Sequence, residues 1–241
     1  MKITPLHFLL LAAFAFNAFA LDLGSYGILD TNEGLYAQIA AEMRAGGDWI
    51  VPHLDGLPYI EKPPLLYWLT ALGFGLFGPT EAAARAVPAA ASLSVVATAL
   101  WLGARTGRPM AGWVAGLIVA TSIVTIAIGR TLYFDMLNTA LVSLALAAAY
   151  VGLDEGKAGP IRLAAAALAL AVLTKGLVGM GLCAIVLASF LVATRAPLAH
   201  WKRLLDPVAI LVFLAIAVPW HVAAALRHDE FAWFYFVNEH V

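Results

Sequence analysis

Apolar residues run along this chain in long blocks, at about 5–21, 63–78, 82–103, 109–129, 135–153, 161–174, 177–194 and 207–226, with short spacers between them. Blocks near 20 residues match the hydrocarbon thickness of a bilayer. Backbone groups in hydrocarbon must be satisfied within the segment, and helices do that. The pattern therefore predicts an all-α, polytopic helical membrane protein, with residues 1–241 forming one membrane domain. Alanine-rich stretches such as "LAAAALALAV" at 163–172 suit close helix packing through small residues. Residues 1–20 carry Lys2, an apolar stretch and "AFA", the outline of a cleavable signal peptide. The polytopic remainder favours a retained first helix over 5–21.

The long polar stretch is 22–62, and the apolar block after it decides the topology. That block, 63–78, "PPLLYWLTALGFGLFG", has 16 residues, short for a span of about 20. If it lies along the interface and the N-terminus is inside, the inner segments hold eight of fourteen basic residues: Lys2, Arg105, Arg108, Lys157, Arg162, Arg195, Lys202 and Arg203. If it spans, everything downstream inverts and five remain inside: Lys2, Arg85, Arg130, Lys175 and Arg227. The positive-inside rule selects the first arrangement. Tyr67 and Trp68 also suit an interfacial helix. About seven spanning helices result, with 22–81 outside and carrying two interfacial helices near 32–45 and 64–78.

Composition narrows the class further. Hydrophobic residues make up 63%, charged residues 12%, and mean hydropathy is +0.89. Net charge is −1, so nothing in the total points to nucleic acid. The single cysteine, Cys183, leaves no disulfide framework or cysteine-based metal site within one chain.

The topology gathers the unusual polar residues on the outer face. They lie in "LDTNEGLYAQIAAEM" (29–43), "IEKPP" (60–64), "GRTLYFDM" (129–136), "LTKGLVG" (173–179) and "WFYFVNEH" (233–240). Acids and bases at the mouth of a bundle suit an anionic, lipid-linked substrate. Lysine or arginine neutralises a phosphate. A carboxylate nearby serves as general base for an incoming hydroxyl, and a cation receives the charge of the departing phosphate.

Each residue also has a purely structural reading. Asp30 and Glu33 fit a capping box, with Leu35, Ile39 and Met43 as the apolar stripe of the helix they open. Lys62 can snorkel as an interfacial anchor, although Glu61 beside it and the rigid Pro63–Pro64 suggest fixed placement. Asp135 can cap the helix over 135–153, with Arg130 five residues before it. Lys175 divides evenly between anchor and site. His221 in "PWHV" reads as a packed helix histidine, and Arg85 in "EAAARAVP" as an interface anchor.

The stretch "NEGLYAQIAAEMRAGGDWIVPHLDGLPYIEKPPLLYWLTALGFGLFG" resembles the first extracytoplasmic loop of the aminoarabinose-transferase-like branch of the protein O-mannosyltransferase superfamily, the type-C glycosyltransferases. "RTLYFDMLNTALVSLAL", "LAVLTKGLVG" and "PWHVAAALRHDEFAWFYFVNEH" continue the likeness in order. The resemblance implies a multi-pass protein of the bacterial inner membrane. It implies transfer of a sugar from a polyprenyl-phosphate donor to a lipid or glycan acceptor on the extracytoplasmic face. Lys62 matches the lysine that contacts the donor phosphate, and Asp135 matches the second-loop aspartate. Glu61 and His240 match positions that look like metal ligands, which implies a divalent metal.

The expected site is then Glu33, Asp135 and Asp30 for catalysis. Lys62, Asn32, Tyr36, Tyr59, Arg130 and Lys175 are expected to bind substrate. The usual aspartate–glutamate pair reads Asn32–Glu33, and asparagine takes no proton as a carboxylate does. Members of the branch are commonly about twice as long, so a non-catalytic fragment that binds lipid-linked sugar is the rival reading. A transporter is a further rival, but its charges belong at the membrane midplane, where this chain has almost none.

Overall fold

A computed structural model describes residues 4–28 and 30–235. Its apolar blocks are helices, in the order α1 (Pro5–Ala20), α2 (Thr31–Gly46), α3 (Leu65–Phe77), α4 (Glu81–Arg105), α5 (Pro109–Thr121), α6 (Ile123–Gly129), α7 (Phe134–Glu155), α8 (Ala158–Lys175), α9 (Leu177–Ala193), α10 (Leu198–Leu204), α11 (Pro207–Arg227) and α12 (Phe231–Trp233). Between α2 and α3 lies a two-residue hairpin, β1 (His53–Leu54) paired with β2 (Leu57–Pro58). The all-α membrane architecture expected from the blocks is the one observed.

The expected count of about seven spans is refined. Among the described residues, α4, α7, α8 and the α10–α11 stretch are long and apolar enough to cross a bilayer. The block 109–129 is not one helix. It breaks at Ser122 into α5 and α6, which meet at 64°. Ser122 leaves the helical conformation, and its hydroxyl accepts from the Thr125 amide to start α6. Counting that bent pair as one gives a fifth span, while α1 with 16 residues and α9 with 17 are shorter apolar helices. The block 63–78 forms a helix of 13 residues. At about 1.5 Å per residue it reaches roughly 20 Å, well short of a hydrocarbon core about 30 Å thick.

Small residues set the packing. A Cβ on Gly103 would come within 2.6 Å of the Gly112 Cα, so α4 and α5 cross in backbone contact. Alanines at 145, 148, 149, 164 and 167 let α7 and α8 lie along one another. The largest cluster of buried side chains forms at one end of the bundle. Ile39 and Met43 of α2, Leu66 and Phe74 of α3, Phe134 and Met136 of α7, and Trp220 of α11 meet there. It is the floor on which the polar loops rest.

Candidate functional site

The site begins at the N-terminus of α2. Asp30 accepts from the Asn32 amide at 2.7 Å and closes the helix end. The Tyr133 hydroxyl and the Asn32 amide hold the Asp30 carboxyl below its ordinary value. The reciprocal half of the expected capping box is not how Glu33 is held. Glu33 turns inward and takes Arg85 of α4 in two parallel bonds of 2.8 Å, with the Leu132 amide adding a third at 3.2 Å. Glu33 is 1% exposed and Arg85 0%.

Arg85 is therefore no interface anchor. Its guanidinium also donates to the carbonyls of Leu23, Tyr26 and Gly27 and stacks 3.9 Å over the Tyr26 ring. A planar fork with five donors suits such a junction. The pair locks loop 22–28, α2, α4 and the α6–α7 connection together, and it holds Glu33 buried. Arg130 is spent in a similar way: it donates to the Ala18 carbonyl at 3.1 Å and to the Asp22 carbonyl at 3.3 Å, closing the C-terminus of α1.

Loop 47–64 is nailed down from several sides. Glu42 accepts from the Asp55 and Gly56 amides at 2.9 and 3.1 Å and so fixes the hairpin turn. The indoles of Trp68 and Trp220 donate to the carbonyls of Trp49 and Ile50, and Arg227 reaches Asp48 at 3.2 Å. The Asp55–Gly56 turn, with φ of 53° and 76°, is a signal that an Asp-Gly pair in the sequence could have supplied. So anchored, the loop delivers Tyr59, Glu61 and Lys62 to the start of α3, where Pro64 is the N-cap. Tyr59 donates to the Glu61 carboxylate at 2.8 Å.

From the other side, α7 begins after Tyr133, so Asp135 sits in the first helical turn and is not the cap. Lys175, in the last turn of α8, donates to it at 2.6 Å. Both are accessible, at 52% and 33%. Each charge also suits the dipole of its own helix end.

Tyr36 shows how these groups converge. Its ring stands edge-on to Phe134 at 4.9 Å and to Tyr133 at 6.3 Å. Burial pushes the Tyr36 phenol up, and the carboxylates of Asp135, Glu61 and Asp30 push it further. Three acids from three separate segments thus act on one half-buried tyrosine. The neighbouring Tyr67 hydroxyl is fully buried and finds no hydrogen-bond partner among the described residues. Asn32 lies at the exposed rim beside Tyr133. Of the expected site residues, Asp30, Asn32, Tyr36, Tyr59, Glu61, Lys62, Asp135 and Lys175 lie toward this face, while Glu33 is buried against Arg85 and the half-buried Arg130 reaches the end of α1. His221 is half-buried in α11, with Nδ1 2.7 Å from the Ala217 carbonyl.

The metal expectation rests on Glu61 and His240, and His240 lies outside the described residues. Glu61 is a single carboxylate already engaged by Tyr59, and among the described residues no three His, Cys, Asp or Glu side chains come together. A divalent metal needs more donors than the described residues bring together.

Three comparisons bear on this arrangement. Residues 61–223 match the family model described as dolichyl-phosphate-mannose-protein mannosyltransferase. The chain is 33% identical over 217 residues to the undecaprenyl phosphate-alpha-4-amino-4-deoxy-L-arabinose arabinosyl transferase of Edwardsiella ictaluri, covering 87% of this chain and 39% of the relative. It is 34% identical over 236 residues to the enzyme of the same name from Pseudomonas paraeruginosa, covering 94% and 42%. Among solved structures it superimposes on ArnT from Cupriavidus metallidurans bound to undecaprenyl phosphate with a TM-score of 0.90 and 31% identity, over 97% of this chain and 44% of that one. The chain thus spans about two-fifths of the length of the relatives it matches.

Proposed function

This chain belongs to the dolichyl-phosphate-mannose-protein mannosyltransferase family, in its aminoarabinose-transferase branch, and from that premise we propose that it is the donor-binding part of a membrane glycosyltransferase. The donor is a sugar on a polyprenyl phosphate, and the acceptor is a hydroxyl or phosphate of a cell-envelope lipid or glycan. The observation that carries this reading is the accessible Asp135–Lys175 ion pair, with loop 47–64 bringing Glu61 and Lys62 to the same end of the bundle, where Glu61 and Asp135 both act on Tyr36. The binding of undecaprenyl phosphate by the Cupriavidus protein supports it.

Transfer breaks the bond between the sugar carbon and the phosphate oxygen and forms one to the acceptor oxygen. The bonding electrons leave with the phosphate, whose added charge Lys62 receives. The acceptor proton passes to Asp135, the carboxylate on the accessible side. Lys175 orients the Asp135 carboxylate until then and adds positive potential for the phosphate. Glu33 and Arg130 act as positioning residues through the backbone they hold. The distribution of basic residues favours the extracytoplasmic side of the inner membrane for this face, with residues 1–241 as one membrane module.

The test is binding of undecaprenyl phosphate to the purified chain, followed by sugar transfer in the presence of donor and acceptor. Lys62→Ala is expected to weaken binding about tenfold or more, as loss of a charge-assisted bond worth roughly 1.5–3 kcal/mol implies, with melting unchanged. Equal binding by Lys62→Ala and the parent protein removes Lys62 from the site.

A further inference from the structure

At the end of the bundle opposite the site, two cavities adjoin. α7 separates the two ends by 22 residues, or roughly 33 Å at the helical rise. One cavity, of about 400 Å³, is an apolar groove floored by Ala145 and Ala149 of α7 and Ala164 of α8. It is walled by Ala184 of α9 and Ile210 of α11. The other, of about 390 Å³, lies at the mouth of the first, and Ile161 and Leu205 line both. This mouth holds Lys157, Lys202 and Arg203.

The acids here are already committed. Asp206 caps the Ala209 amide at 2.8 Å and pairs with Arg162 at 3.1 Å. Glu155 joins Arg105 at 2.7 Å and Lys157 at 3.0 Å. Lys202 and Arg203 stand exposed on the last turn of α10. Arg203 lies over Gly156, where a Cβ would come within 3.1 Å of its guanidinium.

An apolar slot of ligand size, opening between membrane helices onto a cluster of cations, matches one chemistry: an acyl chain ending in a negatively charged phosphodiester. We propose that this groove is a binding site for an anionic phospholipid of the inner leaflet, one chain between α9 and α11 and the phosphate against Lys202 and Arg203. It is separate from the candidate catalytic face and does not depend on how that face works.

Native mass spectrometry of the purified 241-residue chain tests it, with phosphatidylglycerol and phosphatidylcholine of identical acyl chains as probes. Phosphatidylglycerol is expected to be retained in preference to phosphatidylcholine. Lys202→Gln and Arg203→Gln should each weaken its retention about fivefold, the factor carried by one basic residue near a membrane surface. Ala184→Phe, which fills the groove from an exposed wall, should lower retention with every cation intact. Equal retention of both lipids, indifference to the Gln variants or to Ala184→Phe, or a second copy of the chain displacing the lipid as a dimer would each overturn the assignment.

Discussion

Replacing Arg85 by alanine removes the hub that ties four segments together. The side chain makes two bonds to Glu33 and three to backbone carbonyls, with no exposed surface. Breaking a buried ion pair from one side costs about 3–5 kcal/mol, because the remaining charge stays without its partner. For a chain of this size that corresponds to a drop in Tm of roughly 6–20 °C. Glu33→Gln keeps shape and size but loses the charge, so its cost should be smaller. The double variant Arg85→Met/Glu33→Leu should recover part of the loss. It cannot recover all, since the carbonyls of Leu23, Tyr26 and Gly27 stay unsatisfied at about 1–3 kcal/mol for each that remains buried.

Thermal unfolding in detergent and limited proteolysis of loop 22–28 read these effects. The opposite outcome is equally concrete. If Glu33→Gln leaves melting and proteolysis unchanged but abolishes sugar transfer, the pair is not a scaffold. Glu33 would then act chemically, as its place in the family motif suggests.

Asp135→Asn should cost little stability, since an accessible ion pair contributes about 0–1 kcal/mol; sugar transfer should fall while binding of undecaprenyl phosphate persists, and a melting loss as large as that of Arg85→Ala would contradict this. Gly112→Leu should force α4 and α5 apart and destabilise the fold by at least about 1–3 kcal/mol; an unchanged Tm would show that the contact at Gly103 yields easily. The Asp30 carboxyl is held below its ordinary value, so its contribution to the α2 cap is complete above about pH 4, the ordinary aspartate value being about 3.9. That contribution disappears only as pH falls through the lower folded value. The difference in Tm between the parent and Asp30→Asn should be flat from about pH 5 to 8 and shrink below about 4.

The helices were legible because apolar block length is a direct readout of the bilayer. The boundaries of α4, α8 and α11 fall within a few residues of the blocks that announced them. The break at Ser122 was hidden because the residues on both sides are equally apolar. The pattern Asp30-x-x-Glu33 is local, but the stronger partner of Glu33 lies 52 residues away on α4. A local motif lost to a long-range charge that no spacing rule records. Arg130 has a second side for a related reason: a cation beside a site aspartate reads as a ligand group, and the fold also brings it to open carbonyls at the end of α1. Asp135 and Lys175 were chosen singly from the sequence, and only the antiparallel packing of α7 on α8 revealed them as a pair.

The brevity of α3 has a kinetic meaning. Leu72, Leu76 and Phe77 stay exposed along it, and under the proposed function the helix is a greasy sill at headgroup depth. A polyprenyl phosphate crossing that sill keeps its tail in the leaflet and its phosphate at the level of Lys62. Encounter then becomes a two-dimensional search. Under the proposed function, saturation is set by the donor's mole fraction in the membrane rather than by its amount per volume of solution.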